Sequence, residues 1–227
     1  MNLNLFSRTM ALALLTLLTV STHAAEKTEH NFERWEKSIS QFEKQDQDQG
    51  IKKGGNLFVG SSSIRMWDLD KYFPEQHVLN RGFGGSEIVD STHFADRIII
   101  KHEPEVIFLY AGDNDLARKK TAEEVVKDFK KFVAKVHKSL PETRIVFIAI
   151  KPSLSRWKLA DTIQQANKLI AAQCAKNDLL EFADVWEPML GEEGKPRPEL
   201  FKSDGLHMEH PGYLIWKKAV QPYMVKK

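Results

Sequence analysis

Val106-Ile107-Phe108-Leu109-Tyr110-Ala111-Gly112-Asp113-Asn114-Asp115 is the stretch on which the fold turns. Five apolar or aromatic residues follow one another without alternation, so a strand built from them is buried on both faces. Such strands belong to parallel sheets covered by helices on each side. The run ends in Gly112-Asp113-Asn114-Asp115. In open parallel sheets the loops at the carboxyl ends of the strands build the site, although Gly, Asp and Asn are also ordinary turn residues.

The same grammar repeats on either side. Upstream, Leu57-Phe58-Val59 runs into Gly60-Ser61-Ser62-Ser63. His77-Val78-Leu79-Asn80 runs into Arg81-Gly82-Phe83-Gly84-Gly85-Ser86, and a helix is predicted from about 88 to 100. Downstream, Thr121 is placed to cap a helix with a stripe of Val125, Phe129, Phe132, Val133 and Val136. Ile145–Ile150 reads as a fourth strand stopped by Lys151-Pro152, followed by a helix over 159–176 and a fifth strand over 179–185. After a Gly-, Pro- and Glu-rich loop at 187–198, a last helix begins at Pro211. Five apolar strands alternating with helices predict one α/β domain over 56–227, a three-layer α/β/α sandwich around a five-stranded parallel sheet.

Ahead of that domain, residues 25–55 read as an amphipathic helix and a polar connector, with Phe32, Trp35, Ile39 and Phe42 at helical spacing. Residues 1–24 carry one cation, Arg8, then an apolar run from Met10 to Val20 and small residues up to Ala24. This is the pattern of a secretory signal peptide cut after Ala24, and the run is too short to span a bilayer of ~30 Å. The expected location is the periplasm or the medium, with no stable membrane insertion. The formal charge is +2, and loss of Arg8 lowers it to +1, which leaves no footprint for nucleic acid. Cys174 is the only cysteine. It falls on the apolar face of a helical pattern and reads as a buried structural thiol, so packing alone must hold the fold.

Four polar clusters lie where strand-end loops should converge. A serine entering a helix after a buried strand, such as Ser62, has backbone N–H groups close by. The sequence is not Gly-x-Ser-x-Gly, since Ile64 occupies the last position. Three glycines between Gly82 and Gly85 exceed what a plain turn needs and bring main-chain N–H groups to a surface. Asn114 can donate from its amide. Asp204-Gly205-Leu206-His207, before the last helix, can set a carboxylate beside one imidazole nitrogen while the other faces out.

In this order and at these separations the four clusters resemble the blocks of the SGNH hydrolases, or GDSL-type esterases, from Leu57 to about Tyr213. The pattern is closer to the single-domain branch similar to platelet-activating factor acetylhydrolase subunits. The resemblance implies a flavodoxin-like sheet and a nucleophile at Ser62. It implies an oxyanion hole made by the Ser62 N–H, the Gly85 N–H and the Asn114 side chain, with Asp204 and His207 completing a triad and no cofactor. Ser61 and Ser63 depart from the family's Asp and Leu around the nucleophile. The expected substrates are short-chain acyl esters, acetyl esters of carbohydrates first, with lysophospholipids and thioesters behind.

Arg65, Trp67, Arg156 and Trp157 come from two loops that should border the site, where they suit sugar faces and polar acyl acceptors. Trp67 and Trp157 fit core or rim packing equally well. Two rivals use the same residues. Asp204, His207 and His210, with Asp113 and Asp115, could ligate a metal, though His210 before Pro211 is more simply a residue at the helix cap. A non-catalytic binding domain on this fold would be marked by a lost triad member, and none is lost.

Overall fold

A computed structural model describes residues 30–225; the signal segment expected at 1–24 lies outside them. The sheet has β1 (Asn56–Gly60), β2 (Val78–Gly82), β3 (Val106–Tyr110), β4 (Arg144–Ile148) and β5 (Leu180–Ala183), in the order β2-β1-β3-β4-β5. Every pair is parallel. This is the flavodoxin-like order, with its switch point between β1 and β3.

Strand residues alternate between two apolar layers, which explains why the sequence shows no alternation. Leu57, Val59, Ile107, Leu109, Ile145 and Phe147 face one side, with α1 (Glu36–Gln49), α4 (Ile88–His93), α5 (Ala95–Ile98), α7 (Ala122–Ser139) and α8 (Ala160–Cys174). Phe58, Val106, Phe108, Tyr110, Val146 and Ile148 face the other. There they meet residues in and after α2 (Ser62–Arg65) and α3 (Leu69–Tyr72), together with α9 (His210–Val220). The remaining helix, α6 (Asp113–Ala117), is a single turn at the end of β3. Phe58 and Phe108 stack at 4.4 Å on adjacent strands, and a fully buried Phe contributes roughly 1.5–3 kcal/mol.

Local chemistry sets several boundaries. Thr121 Oγ1 accepts the Glu124 N–H at 3.2 Å and the Glu124 carboxylate accepts the Thr121 N–H at 2.9 Å, a reciprocal cap that starts α7. Cys174 is buried on α8, and burial pushes its thiol up to about 11. Elsewhere the structure differs from expectation. The helix predicted over 88–100 is broken at Phe94, whose ring is 2 % exposed and packs edge-on to Phe83 at 6.2 Å. No Gly or Pro signals that break. β2 continues through Arg81-Gly82 because Gly82 pairs with Gly60 on β1.

Candidate active site

The ends of β1 and β3 meet at the switch point. Gly60 has φ of +126°, and a Cβ there would fall 1.8 Å from the Tyr110 carbonyl oxygen, so only glycine lets the strands approach so closely. The Ser61 N–H donates to that carbonyl at 2.9 Å, and Ser62 opens α2. Ser61 and Ser63 are buried while Ser62 is partly exposed. Since α2 is a single turn, its dipole is small and the nearby amides are the donors that matter.

The last polar turn brings its partners to Ser62. Asp204 Oδ1 accepts the N–H groups of Leu206 and His207, both at 2.9 Å, which folds the turn tightly. Asp204 Oδ2 lies 2.6 Å from His207 Nδ1, and His207 Nε2 lies 2.9 Å from Ser62 Oγ. Carboxylate, imidazole and hydroxyl thus form one hydrogen-bonded chain. Desolvation pushes the Asp204 carboxyl up, but the hydrogen bonds from His207 and the two amides outweigh it and hold it at about 2. Asp204 is therefore an anion at any pH near neutral, suited to fixing the tautomer of His207.

Two further loops present donors. Asn80 Oδ1 accepts the Gly82 N–H at 2.9 Å, so that amide is engaged. The Gly85 N–H has no acceptor among the described residues. Gly85 has φ of +74°, and a Cβ there would press on the Trp35 ring at 3.3 Å. Its carbonyl accepts from Arg118 at 3.1 Å. The Asn114 amide donates to the Ser86 carbonyl at 2.9 Å, and its Oδ1 accepts from Arg156 at 2.8 Å. The Ser62 N–H likewise has no acceptor among the described residues.

The four residues expected to contact substrate separate into different roles. Arg65 is exposed, and a Cβ at Gly84 would sit 3.1 Å from its Nε, so its chain runs along the glycine turn. Trp67 is a correction: it is 1 % exposed and packs 5.5–5.6 Å from Phe58, Tyr213 and Trp216. The single-turn α2 ends before residue 67 and turns the indole into the core. Trp157 is half-buried and stacks on Trp186 at 6.0 Å. Arg156 is partly exposed and already engaged by two side chains. Its guanidinium pairs with Asp113, 2.9 Å away, and donates to the Asn114 Oδ1 at 2.8 Å. His210 is the first residue of α9, with Glu209 at the cap, and its Nδ1 lies 2.6 Å from the Tyr72 hydroxyl.

Sequence reasoning missed Arg118, and it read Lys151 only as a strand stop. Lys151 is 2 % exposed, with its Nζ 3.0 Å from the Tyr110 hydroxyl and 3.7 Å from Asp113. Burial lowers its pKa against the pull of Asp113. A cation after an apolar strand is the one signal that could have drawn attention to it. Among the described residues no group of three His, Cys, Asp or Glu side chains is arranged to hold a metal ion.

Residues 60–215 match the model of the GDSL-like lipase/acylhydrolase family. Among curated proteins, none matches the chain significantly by sequence. Solved structures share the fold at low identity. A Streptococcus pneumonia protein provisionally named a platelet activating factor is 22 % identical, with a TM-score of 0.75 over 84 % of this chain and 92 % of its own. A GDSL-like lipase from Bacteroides thetaiotaomicron is 19 % identical, with a TM-score of 0.64 over 85 % and 96 %. A mutant form of an acetyl-xylooligosaccharide esterase from Geobacillus Stearmophilus is 17 % identical, with a TM-score of 0.59 over 76 % and 94 %.

Proposed function

The chain belongs to the GDSL-like lipase/acylhydrolase family and is a hydrolase acting on ester bonds, and from that premise we propose that Ser62 is its nucleophile, with His207 as base and Asp204 as the group that orients it. The observation that carries this is the hydrogen-bonded chain Asp204–His207–Ser62. His207 Nε2 takes the proton of Ser62 as Oγ attacks the acyl carbonyl, and Asp204 stabilises the imidazolium. The negative charge on the carbonyl oxygen is met by the Ser62 and Gly85 N–H groups and the Asn114 amide. As the tetrahedral intermediate collapses, His207 returns the proton to the leaving alkoxide. Water then repeats the sequence on the acyl-enzyme.

The substrates are esters of short acyl groups, acetyl first, on a carbohydrate or comparably polar alcohol. Among the described residues, large apolar side chains are exposed only at Ile51, Leu154 and Leu214. Leu154 adjoins the Asp204–His207 turn, which itself carries the partly exposed Leu206, and two short aliphatic side chains are little surface for a long acyl chain. The exposed Arg65 beside the glycine turn suits a polar acyl acceptor, and a structural relative is named for acetylated xylo-oligosaccharides. Steady-state kinetics on p-nitrophenyl acetate, butyrate, octanoate and palmitate, and on acetylated xylo-oligosaccharides, test the reading. The highest kcat/KM is expected on acetyl esters; a maximum at octanoate or longer would overturn it.

A further inference from the structure

Deepening that reading, and resting on Asn114 as an oxyanion donor, we infer that Arg156 is the positioning residue that aims and polarises the Asn114 amide. An Asn side chain has two N–H donors and one carbonyl acceptor. One donor is used on the Ser86 carbonyl at 2.9 Å, and the carbonyl oxygen accepts from Arg156 at 2.8 Å. With both ends of the amide plane tied, the direction of the remaining N–H is fixed. Asn114 is 8 % exposed, so without Arg156 its Oδ1 would lose its partner in a buried setting, where an unmade hydrogen bond is expensive. The amide would then rotate, weakening the Ser86 bond or turning an oxygen toward the developing oxyanion.

The guanidinium also acts electrostatically. A cation hydrogen-bonded to the carbonyl oxygen draws charge through the amide and strengthens its N–H as a donor. Arg156 is held for this task. Its side chain is 17 % exposed, and it pairs at 2.9 Å with Asp113, itself 6 % exposed, whose other oxygen accepts the Asn114 backbone N–H at 2.9 Å. The loop that carries Arg156 also touches the triad turn, through the Ser155 N–H on the Gly205 carbonyl at 3.0 Å. Donor and base are thereby referenced to one loop.

A double-mutant cycle on the full enzyme, read as kcat and KM on p-nitrophenyl acetate, tests this. Asn114→Ala should lower kcat by roughly 100-fold or more with little change in KM. Arg156→Met should lower kcat by at least about tenfold with KM nearly unchanged, as for loss of a group acting in the transition state. In the Asn114→Ala background the same substitution should cost little more, because its target is gone. Arg156→Lys, which keeps the charge but not the fork, should fall between parent and Arg156→Met, and it carries the cycle if Arg156→Met fails to fold. An Arg156 substitution that leaves kcat unchanged, or slows both backgrounds equally, overturns the inference. An Asn114→Ala enzyme with parental kcat sinks instead the reading of the oxyanion hole on which it rests.

Discussion

Ser61, Ser62 and Ser63 share one chemistry and differ in what surrounds them. The Ser61 hydroxyl is buried with no hydrogen-bond partner among the described residues, while Ser62 Oγ stands 2.9 Å from His207 Nε2. Removing an unsatisfied buried hydroxyl breaks no hydrogen bond, whereas removing the proposed nucleophile would disable the unit formed with its base. Ser62→Ala should therefore abolish hydrolysis of p-nitrophenyl acetate. Ser61→Ala and Ser63→Ala should keep a substantial fraction of the parental rate, and Ser61→Ala should unfold at the parental urea midpoint. An inactive Ser61→Ala beside an active Ser62→Ala would show that the register is wrong.

At the level of elements, the loops that carry Gly85 and Asn114 are braced from outside the site. Lys120 Nζ lies within 2.8–2.9 Å of Glu87 at the cap of α4, Asp115 on α6 and Asp128 on α7. One ammonium thus ties the glycine turn and the Asn114 turn to α7. Burial raises the Asp115 carboxyl to about 6, against the pull of Lys120. Glu87 keeps Arg118 and Asp128 keeps Lys131 when Lys120 is removed, so Lys120→Met strands chiefly the buried Asp115 and should destabilise the fold by about 3 kcal/mol at pH 7. Asp115 binds its proton more tightly folded than unfolded, where its pKa is 3.8. Acidification from about 6 toward 3.8 therefore favours the folded state at this residue, and the deficit of Lys120→Met should shrink at pH 5. Urea unfolding at both pH values checks this; a variant as stable as the parent at pH 7 would contradict it.

On the scale of the whole molecule, α1 belongs to the same compact unit as the sheet, with Ile39 in one of its two apolar layers. Trp35 backs Gly85, and on α1 Asp46 pairs with the buried Arg81 of β2 and, at 2.7 Å, with Lys101. Arg97 pairs at 2.6 Å with Glu36 and Glu43. The segment at 1–24 has the composition of a cleaved leader, and we propose that the exported enzyme starts at Ala25. Amino-terminal sequencing of exported protein should give Ala25-Glu26-Lys27; an exported chain that begins at Met1 would refute cleavage.

The sequence by itself determined the parallel sheet, because strands buried on both faces must be continuously apolar, and apolar runs between polar turns are visible one residue at a time. It also determined which loops carry Ser62, Gly85, Asn114, Asp204 and His207, since the first three follow strand ends and the last two precede the final helix whatever the packing. Only the tertiary structure decided direction. Trp67 and Arg65 lie two residues apart, yet one side chain enters the core and the other follows the surface, because a one-turn helix ends between them. Arg156 presents its guanidinium to Asn114 because Asp113, 43 residues earlier in the chain, supplies the countercharge. Such pairings depend on distances between loops joined only through the sheet, and no local pattern encodes them.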